Sequence, residues 1–480
     1  MELKKLGNAK WEIPKGTDPR MRVPVQVYGR KELVEMMKRD RTFKQAINVS
    51  ALPGILNASM VMPDGHEGYG FPIGGVAAFD SEEGVVSPGG VGYDINCGVR
   101  LITTNLTYKE VKPKMQDIMN ALFKNIPSGV GSKGKVRLTD SELEDALVHG
   151  VNWAVEKGFG WKEDLERMEE NGCIAGADPS KVSNKAMKRG RPQLGTLGSG
   201  NHFIEVQRVG KIMDAEVAKK FGITSENQVC VMVHTGSRGF GHQVCHDSLG
   251  MMLEAARKYG IELPDPQLAC APLKSKEAEK YLGGMRCAIN YAFVNRHMIM
   301  HWTRESFEQV FGKSAQELSM NLVYDVCHNI AKFERHSVNG EDRNVCVHRK
   351  GATRAFAAGR KELPGIYREI GQPVIIPGSM GTSSFILVGE EKGMQETWGS
   401  TCHGAGRTMS RKQAIRTFPG KQVKEKLDEK GVVFRATGRE IISEEAPGAY
   451  KDVDNVVQSV QDAGISRIVA QVMPIGVAKG

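Results

Sequence analysis

Several features are missing from this sequence, and each absence excludes something. The nine cysteines include no Cys-x-x-Cys pair, which removes a zinc-ribbon pattern and, with the odd count, a disulfide framework. Reduced thiols and a cytoplasmic setting are the expectation. No run of about 18 apolar residues occurs, so no membrane span is expected. The opening MELKKLGNAKWEIP has no apolar signal core. No linker rich in Pro, Ser or Gly and no internal repeat interrupts the chain, which argues against a string of modules. A Walker A loop is nearly present in GVGSKGKV, but Val136 stands where a magnesium-binding Ser or Thr is required. The segment follows NIPS and not a clear strand, so a P-loop NTPase is rejected.

What remains is an ordinary globular composition, 480 residues with 40% hydrophobic and 25% charged, long enough to bury a large core. The 55 glycines exceed the roughly 7% of average usage and cluster in short motifs, as tight turns and backbone-lined sites require. A formal net charge of +9 fits either simple solubility or a polyanionic partner. Residues 1–50 read as an arm followed by one helix (KELVEMMKRD), and 51–105 as glycine-rich with short strands such as GGVAAF and GVRLIT. Residues 108–190 and 245–320 read as helical, and 195–238 as strands. Residues 320–480 read as short strands between Gly/Pro turns. Strand blocks interrupted by helical blocks predict one large α+β domain, and the lack of regular βαβ alternation argues against a doubly wound sheet.

Three histidines follow strand-like runs: His202 in GSGNHFIEV, His234 in CVMVHTGSRG and His328 in VYDVCHNIA. A fourth segment, GGVGYDINCGVR, carries Asp94 and Cys97. Strand ends that open into glycine turns suit ligands, because the sheet fixes the backbone while the turn exposes the side chain. One carboxylate, one thiolate and three imidazoles could hold two divalent ions, with the thiolate bridging. The mixed donors admit Mn²⁺ or Zn²⁺. Each residue alone reads equally as a satisfied polar group of core or loop. HMIMH and HQVCH place His297/His301 and His242/His246 four apart on helices, but both lack the HExxH glutamate and read as structural or surface pairs.

The segment TCHGAGRTMSRKQAIRTF sets His403 before Gly404, Ala405 and Gly406, with a predicted helix following. A glycine turn entering a helix N-terminus offers free N–H groups to phosphate. Arg407 and Arg411, four apart, would share one helix face and clamp further phosphates. His403 could act as a general acid or as a nucleophile forming a phosphoramidate, or be an ordinary loop histidine. The lysine-nucleophile motif KxDG of common nucleotidyltransferases is absent, so nucleotidyl transfer would need another nucleophile, for which His403 is the best placed candidate. Period-two alternation puts Asn201, Phe203 and Glu205 on one strand face and His202 on the other. Glu205 could accept from guanine N1–H and N2–H₂ together, or be a solvated strand residue.

These blocks, with MPDGHEGYGFPIGG, YDVCHN, VHRKGATRAF and PGSMGTSSF, run from about residue 60 to 411 and closely resemble the signature blocks of the RtcB family of tRNA-splicing ligases. The tail ending in GVAKG also fits. The resemblance implies a single ligase domain over 1–480, with a family-specific central β-sandwich flanked by helices and helical insertions at about 108–190 and 245–320. It implies two Mn²⁺ ions, one held by Asp94, Cys97 and His202 and the other by Cys97, His234 and His328. It implies GTP as co-substrate and guanylylation of His403. The guanylate contacts would be Asn201, Phe203, Glu205, Asn329, Ser379, Ser384, Gly404, Ala405, Gly406, Tyr450 and Lys479. The implied reaction joins RNA 3′-phosphate or 2′,3′-cyclic phosphate ends to 5′-hydroxyl RNA, in tRNA splicing or RNA repair. The expected partners are tRNA halves or broken RNA, not DNA, and an archease-type activator. Asp64 is expected to orient a metal ligand or to meet the RNA 3′ end. Arg238, Arg407 and Arg411 are expected RNA phosphate contacts, or rim charges. Two rival readings use the same residues: a binuclear metal-dependent phosphoesterase, and a non-catalytic RNA-binding protein.

Overall fold

Apolar runs bounded by glycine and proline turns build two large sheets in this computed structural model, which describes residues 3–438 and 440–480. The first sheet runs Lys4–Lys5, Lys10–Ile13, Val25–Tyr28, Ser59–His66, Ile73–Asp80, Glu341–Lys350, Asn329–Val338 in spatial order. Its neighbours are antiparallel except Val25–Tyr28 against Ser59–His66. The second runs Leu322–Cys327, Gly98–Thr107, Gln228–Thr235, Phe203–Ile212, Ser466–Lys479, Ser384–Gly389, Pro373–Ile376, with Val433–Ala436 alongside Ser466–Lys479 in parallel.

The outer strands of the second sheet, Leu322–Cys327 and Pro373–Ile376, come back beside each other, so this sheet nearly closes into a barrel. Its interior is filled by Leu101, Met232, Val326, Ile375, Ile386 and Val472, each fully buried side chain contributing roughly 1.5–3 kcal/mol. Met60, Val76 and Val347 of the first sheet pack with Ile376 and Leu387 of the second, and the helix Val453–Ala463 closes that cluster. The expected α+β class, with central β-structure flanked by helices, takes this form.

The helical blocks lie where their periodicity placed them. Within 108–190 stand Met115–Asn125, Asp140–His149 and Asn184–Gly190. Within 245–320 stands a 36-residue helix, Lys276–Phe311, capped by the Ser275 hydroxyl accepting from the Ala278 N–H and ended by Gly312 in the left-handed region. Its neighbours Arg238–Lys258, Met115–Asn125 and Asp140–His149 surround it, which is why it is buried almost all round and lacks a polar stripe. No helix is long and apolar enough to cross a membrane among the described residues.

Two expectations change. The N-terminal arm contributes three short strands to the first sheet and is followed by two helices, Lys31–Met37 and Thr42–Ser50, not one. The C-terminal third holds Glu391–Thr397, Gly420–Glu429 and Val453–Ala463 as well as strands.

Antiparallel pairing decides where the chemistry collects. Gly98 starts its strand opposite Thr235 and Cys327, which end theirs. Phe203 starts its strand opposite His234 and Lys479, near the ends of theirs. Residues 97, 202, 234, 328 and 479 therefore gather at one end of the near-barrel.

Candidate metal and nucleotide site

Cys97 and His202 sit just before their strands, His234 near the end of one, and His328 just after another. Their donor atoms converge. The Cys97 Sγ lies 3.4 Å from His202 Nε2 and 3.3 Å from His234 Nε2, and the Nε2 atoms of His234 and His328 are 3.3 Å apart. Asp94 Oδ2 is 2.9 Å from His202 Nε2. Two triads result, Asp94–Cys97–His202 and Cys97–His234–His328, each with its donors within 4.8 Å of one another.

The hydrogen bonding fits bound cations. His202 Nδ1 faces the Leu197 carbonyl at 3.1 Å, so it carries the proton and leaves an Nε2 lone pair facing a carboxylate and a sulfur. Lone pairs so arranged repel unless a cation lies among them. Burial and then the Asp94 charge push the Cys97 thiol well up, and burial pushes His234 and His328 well down. Burial opposes the Asp94 charge too, yet its carboxyl is held at about 2 by positive charge at the His202 position, the place a bound cation would take, and then by Arg238. Neutral imidazoles and a carboxylate are ligands as they stand, and a divalent ion would ionise the thiol.

His403 joins this cluster from another direction. Its ring centroid is 4.9 Å from that of His328. Its Nδ1 is hydrogen-bonded to the Asp64 carboxylate, which also accepts the His403 N–H at 2.9 Å and the Gly404 N–H at 3.3 Å. Asp64 is fully buried. Burial works against its charge, but His403 and Lys451 hold the carboxyl below its usual range. Gly406 has φ +75°, and a Cβ there would meet the Asp64 carbonyl oxygen at 2.2 Å, so only glycine lets this loop close over Asp64. With Nδ1 committed to Asp64, Nε2 is the nitrogen left for chemistry.

A pocket of about 250 Å³ opens beside His403, lined by Asn201, Phe203, Ser379, Tyr450 and Lys479 among others. It mouths onto the same end of the near-barrel.

A family model described as "tRNA-splicing ligase RtcB" matches residues 45–480. A tRNA-splicing ligase RtcB of Thermococcus kodakarensis is 58% identical over 478 residues, covering 100% of this chain and 99% of the relative. Relatives of the same description from Archaeoglobus fulgidus and Pyrobaculum aerophilum are 58% and 56% identical, again over 100% of this chain and 99% of their own. The chain belongs to the RtcB family of tRNA-splicing ligases.

Most residues that the RtcB resemblance singled out meet here. Asn201, Phe203, Asn329, Ser379, Gly404, Ala405, Gly406, Tyr450 and Lys479 all line the pocket. Glu205 and Ser384 lie one layer deeper, joined through Gln207, whose amide donates to Glu205 Oε2 at 2.8 Å and to the Ser384 hydroxyl at 3.3 Å. Burial pushes the Glu205 carboxyl up to about 7, against the pull of Gln207 and Lys479.

Of the expected RNA contacts, Arg407 and Arg411 also line the pocket. Asp64 is beneath His403 and reaches no surface. Arg238 turns inward, with Nη1 3.4 Å from His202 Nδ1 and Nε 3.3 Å from the Thr196 hydroxyl. Arg407 is taken up by Glu445 Oε1 at 3.1 Å, the Tyr450 hydroxyl at 3.0 Å and the Glu444 carbonyl at 2.9 Å. Arg411 is exposed and pairs with Glu444 at 3.0 Å. The predicted helix after His403 starts only at Arg411, capped by Ser410. The glycine turn is therefore not a helix N-terminus, and Arg407 and Arg411 share no helix face. Ser410 stops the helix there because its hydroxyl accepts from the Gln413 N–H.

His297 is structural, its ring nitrogens 2.9 Å from the Phe159 carbonyl and 3.2 Å from Arg100. His242 stacks on Tyr93. Sequence reasoning missed Glu445, which receives Arg407, Tyr450 and Lys479, and Lys451, which grips the Pro63 and Gly65 carbonyls on either side of Asp64. Neither carries a local sequence signal, since most of their partners are distant in the chain.

Proposed function

We propose that the chain is a GTP-dependent RNA ligase that carries guanylate on His403, working as one domain over 1–480 with 108–190 and 245–320 as helical insertions. The observation that carries this is the Asp64–His403 pair beside the two donor triads. A general metallohydrolase has no need of a buried carboxylate orienting a further, non-ligating histidine.

Asp64 accepts from Nδ1–H, so the Nε2 lone pair attacks the α-phosphorus of GTP. A P–N bond forms and pyrophosphate leaves. An oxygen of the RNA 3′-phosphate then attacks the same phosphorus, and the P–N bond breaks to restore His403. The 5′-hydroxyl of the second RNA attacks the activated 3′-phosphate, and GMP leaves. A 2′,3′-cyclic end is first opened by water. Two Mn²⁺ ions, held by Asp94, Cys97 and His202 and by Cys97, His234 and His328, would neutralise charge on the phosphoryl oxygens.

Phe203 and Tyr450 line the pocket and Lys479 supplies a cation, while Glu205, one layer beneath, would accept from guanine N1–H and N2–H₂ once the Gln207 amide gives way. The tRNA halves or broken RNA of the sequence reading remain the substrate class, and an archease-type activator the partner.

Incubation with α-labelled GTP and Mn²⁺ tests the reading. An acid-labile label on the protein, abolished in His403→Ala, is expected. Absence of label from the wild type would return the site to a phosphoesterase, and label persisting in His403→Ala would move the nucleophile elsewhere.

A further inference from the structure

Behind the metal triads, two consecutive residues of the helix Lys276–Phe311 point at the ligand-bearing strand ends. Arg296 is fully buried, and each of its five N–H groups has a partner. Nε reaches both Asp325 oxygens at 3.0 Å, and Nη2 reaches Asp325 Oδ1 at 2.8 Å and Asn96 Oδ1 at 3.1 Å. Nη1 donates to the Asn96 carbonyl at 2.8 Å and the Thr235 carbonyl at 3.0 Å. Asn96 precedes Cys97, Thr235 follows His234, and Asp325 lies on the strand that leads into His328.

Asn295 is equally buried and equally committed. Its Oδ1 accepts the Gly195 N–H at 2.7 Å and the Thr196 N–H at 3.0 Å, while Nδ2 donates to the Thr196 and Gly236 carbonyls, both at 3.1 Å. Thr196 adjoins Leu197, whose carbonyl fixes the His202 ring, and Gly236 is two residues past His234. Gly98 makes room for this arrangement, because a Cβ there would lie 3.0 Å from Arg296 Cζ.

We infer that Asn295 and Arg296 are positioning residues for the metal centre, setting the spacing of the Cys97, His202, His234 and His328 segments and through it the affinity for both ions. Apolar packing would hold a buried helix without the desolvation of a guanidinium. What the fork and the amide add is register among four separate strand ends, since planar, saturated donors fix both distance and angle. The inference rests on the metal reading of the two triads.

The test is a Mn²⁺ titration of metal-free protein, followed by electron paramagnetic resonance with Mn²⁺ as the only probe. Arg296→Lys keeps the charge beside Asp325 but loses the fork. Asn295→Leu keeps the branching and the number of side-chain heavy atoms but loses all four hydrogen bonds. Both are expected to weaken Mn²⁺ binding about 10–100-fold, as loss of a supporting partner does. Arg304→Lys is the control, because Arg304 lies on the same helix and is buried against Asp164 and the Met320 carbonyl, away from every ligand segment. It is expected to cost thermal stability and leave Mn²⁺ affinity unchanged. Wild-type Mn²⁺ affinity in Asn295→Leu, or an equal loss in Arg304→Lys, would overturn the positioning role. That holds even where Arg296→Lys does not fold. A wild type that binds no Mn²⁺, or binds it no better than Cys97→Ala, would overturn the metal centre itself and this role with it.

Discussion

Asp64 and His403 stand 339 positions apart in the chain yet form the most constrained contact of the site. Asp64 fixes the ring through Nδ1 and fixes the loop through two backbone N–H groups. Replacing the carboxylate by an amide keeps the shape but not the tautomer control, which in comparable carboxylate–histidine pairs costs up to about 10⁴-fold. Asp64→Asn is therefore expected to slow single-turnover guanylylation of His403 by about 10²–10⁴-fold while the protein melts near the wild-type temperature. A wild-type rate in that variant would strip Asp64 of its role. The His403 motif was visible as a candidate, a histidine before Gly-Ala-Gly in a chain without KxDG. Its partner was not, since nothing near residue 64 says which loop will cover it.

At the scale of elements, the strand Ser466–Lys479 is the instructive case. Fourteen residues long, it is paired on one side with Phe203–Ile212 and on the other with Ser384–Gly389 and then Val433–Ala436. Pairing to its last residue converts a position that ordinarily frays into a fixed one, with Lys479 Nζ 3.4 Å from Glu445 and 5.7 Å from the Phe203 ring centroid. A chain ending at Ala478 retains every pairing except the last and is expected to melt within a few degrees of the full chain. It should bind GTP roughly ten- to a hundredfold more weakly, since a charge-assisted bond is worth about 1.5–3 kcal/mol. Calorimetric titration with GTP reads this directly, and unchanged affinity would remove Lys479 from the pocket. The helix after His403 shows the opposite lesson. The expected helix directly after the Gly404–Gly406 turn does not form there, because Gly406 in the left-handed region and the Ser410 cap delay its start to Arg411.

For the molecule as a whole, burial of histidine sets the response to acid. His66 and His348 are pushed down to about 4 and His297 to about 3, with burial the largest cause in each, and His234 and His328 lie well below their usual value. These rings stay neutral in the folded chain but take up protons near pH 6.5 when unfolded. Between about pH 6.5 and 4 the unfolded state thus binds more protons, and stability falls as pH falls. Glu205, raised to about 7, acts in the opposite sense across the same range, one group against five. Urea unfolding of the metal-free protein is expected to show a lower midpoint at pH 5 than at pH 7. An equal or higher midpoint at pH 5 would mean that these rings are not held neutral.

The sequence by itself determined which side chains could do chemistry and which segments are strands, because donor identity and period-two alternation are local properties. The five residues of the two donor triads and about two thirds of the pocket lining could be named from motif and resemblance. Only the tertiary structure decided which groups were spent on one another. Arg407 went to Glu445, Arg238 to the back of His202, Asp64 to His403, and Asn295 with Arg296 to the ligand-bearing strand ends. Hydrogen-bond partners are chosen by proximity in space after the sheet has closed, and a buried arginine carries the same letter as one waiting for phosphate.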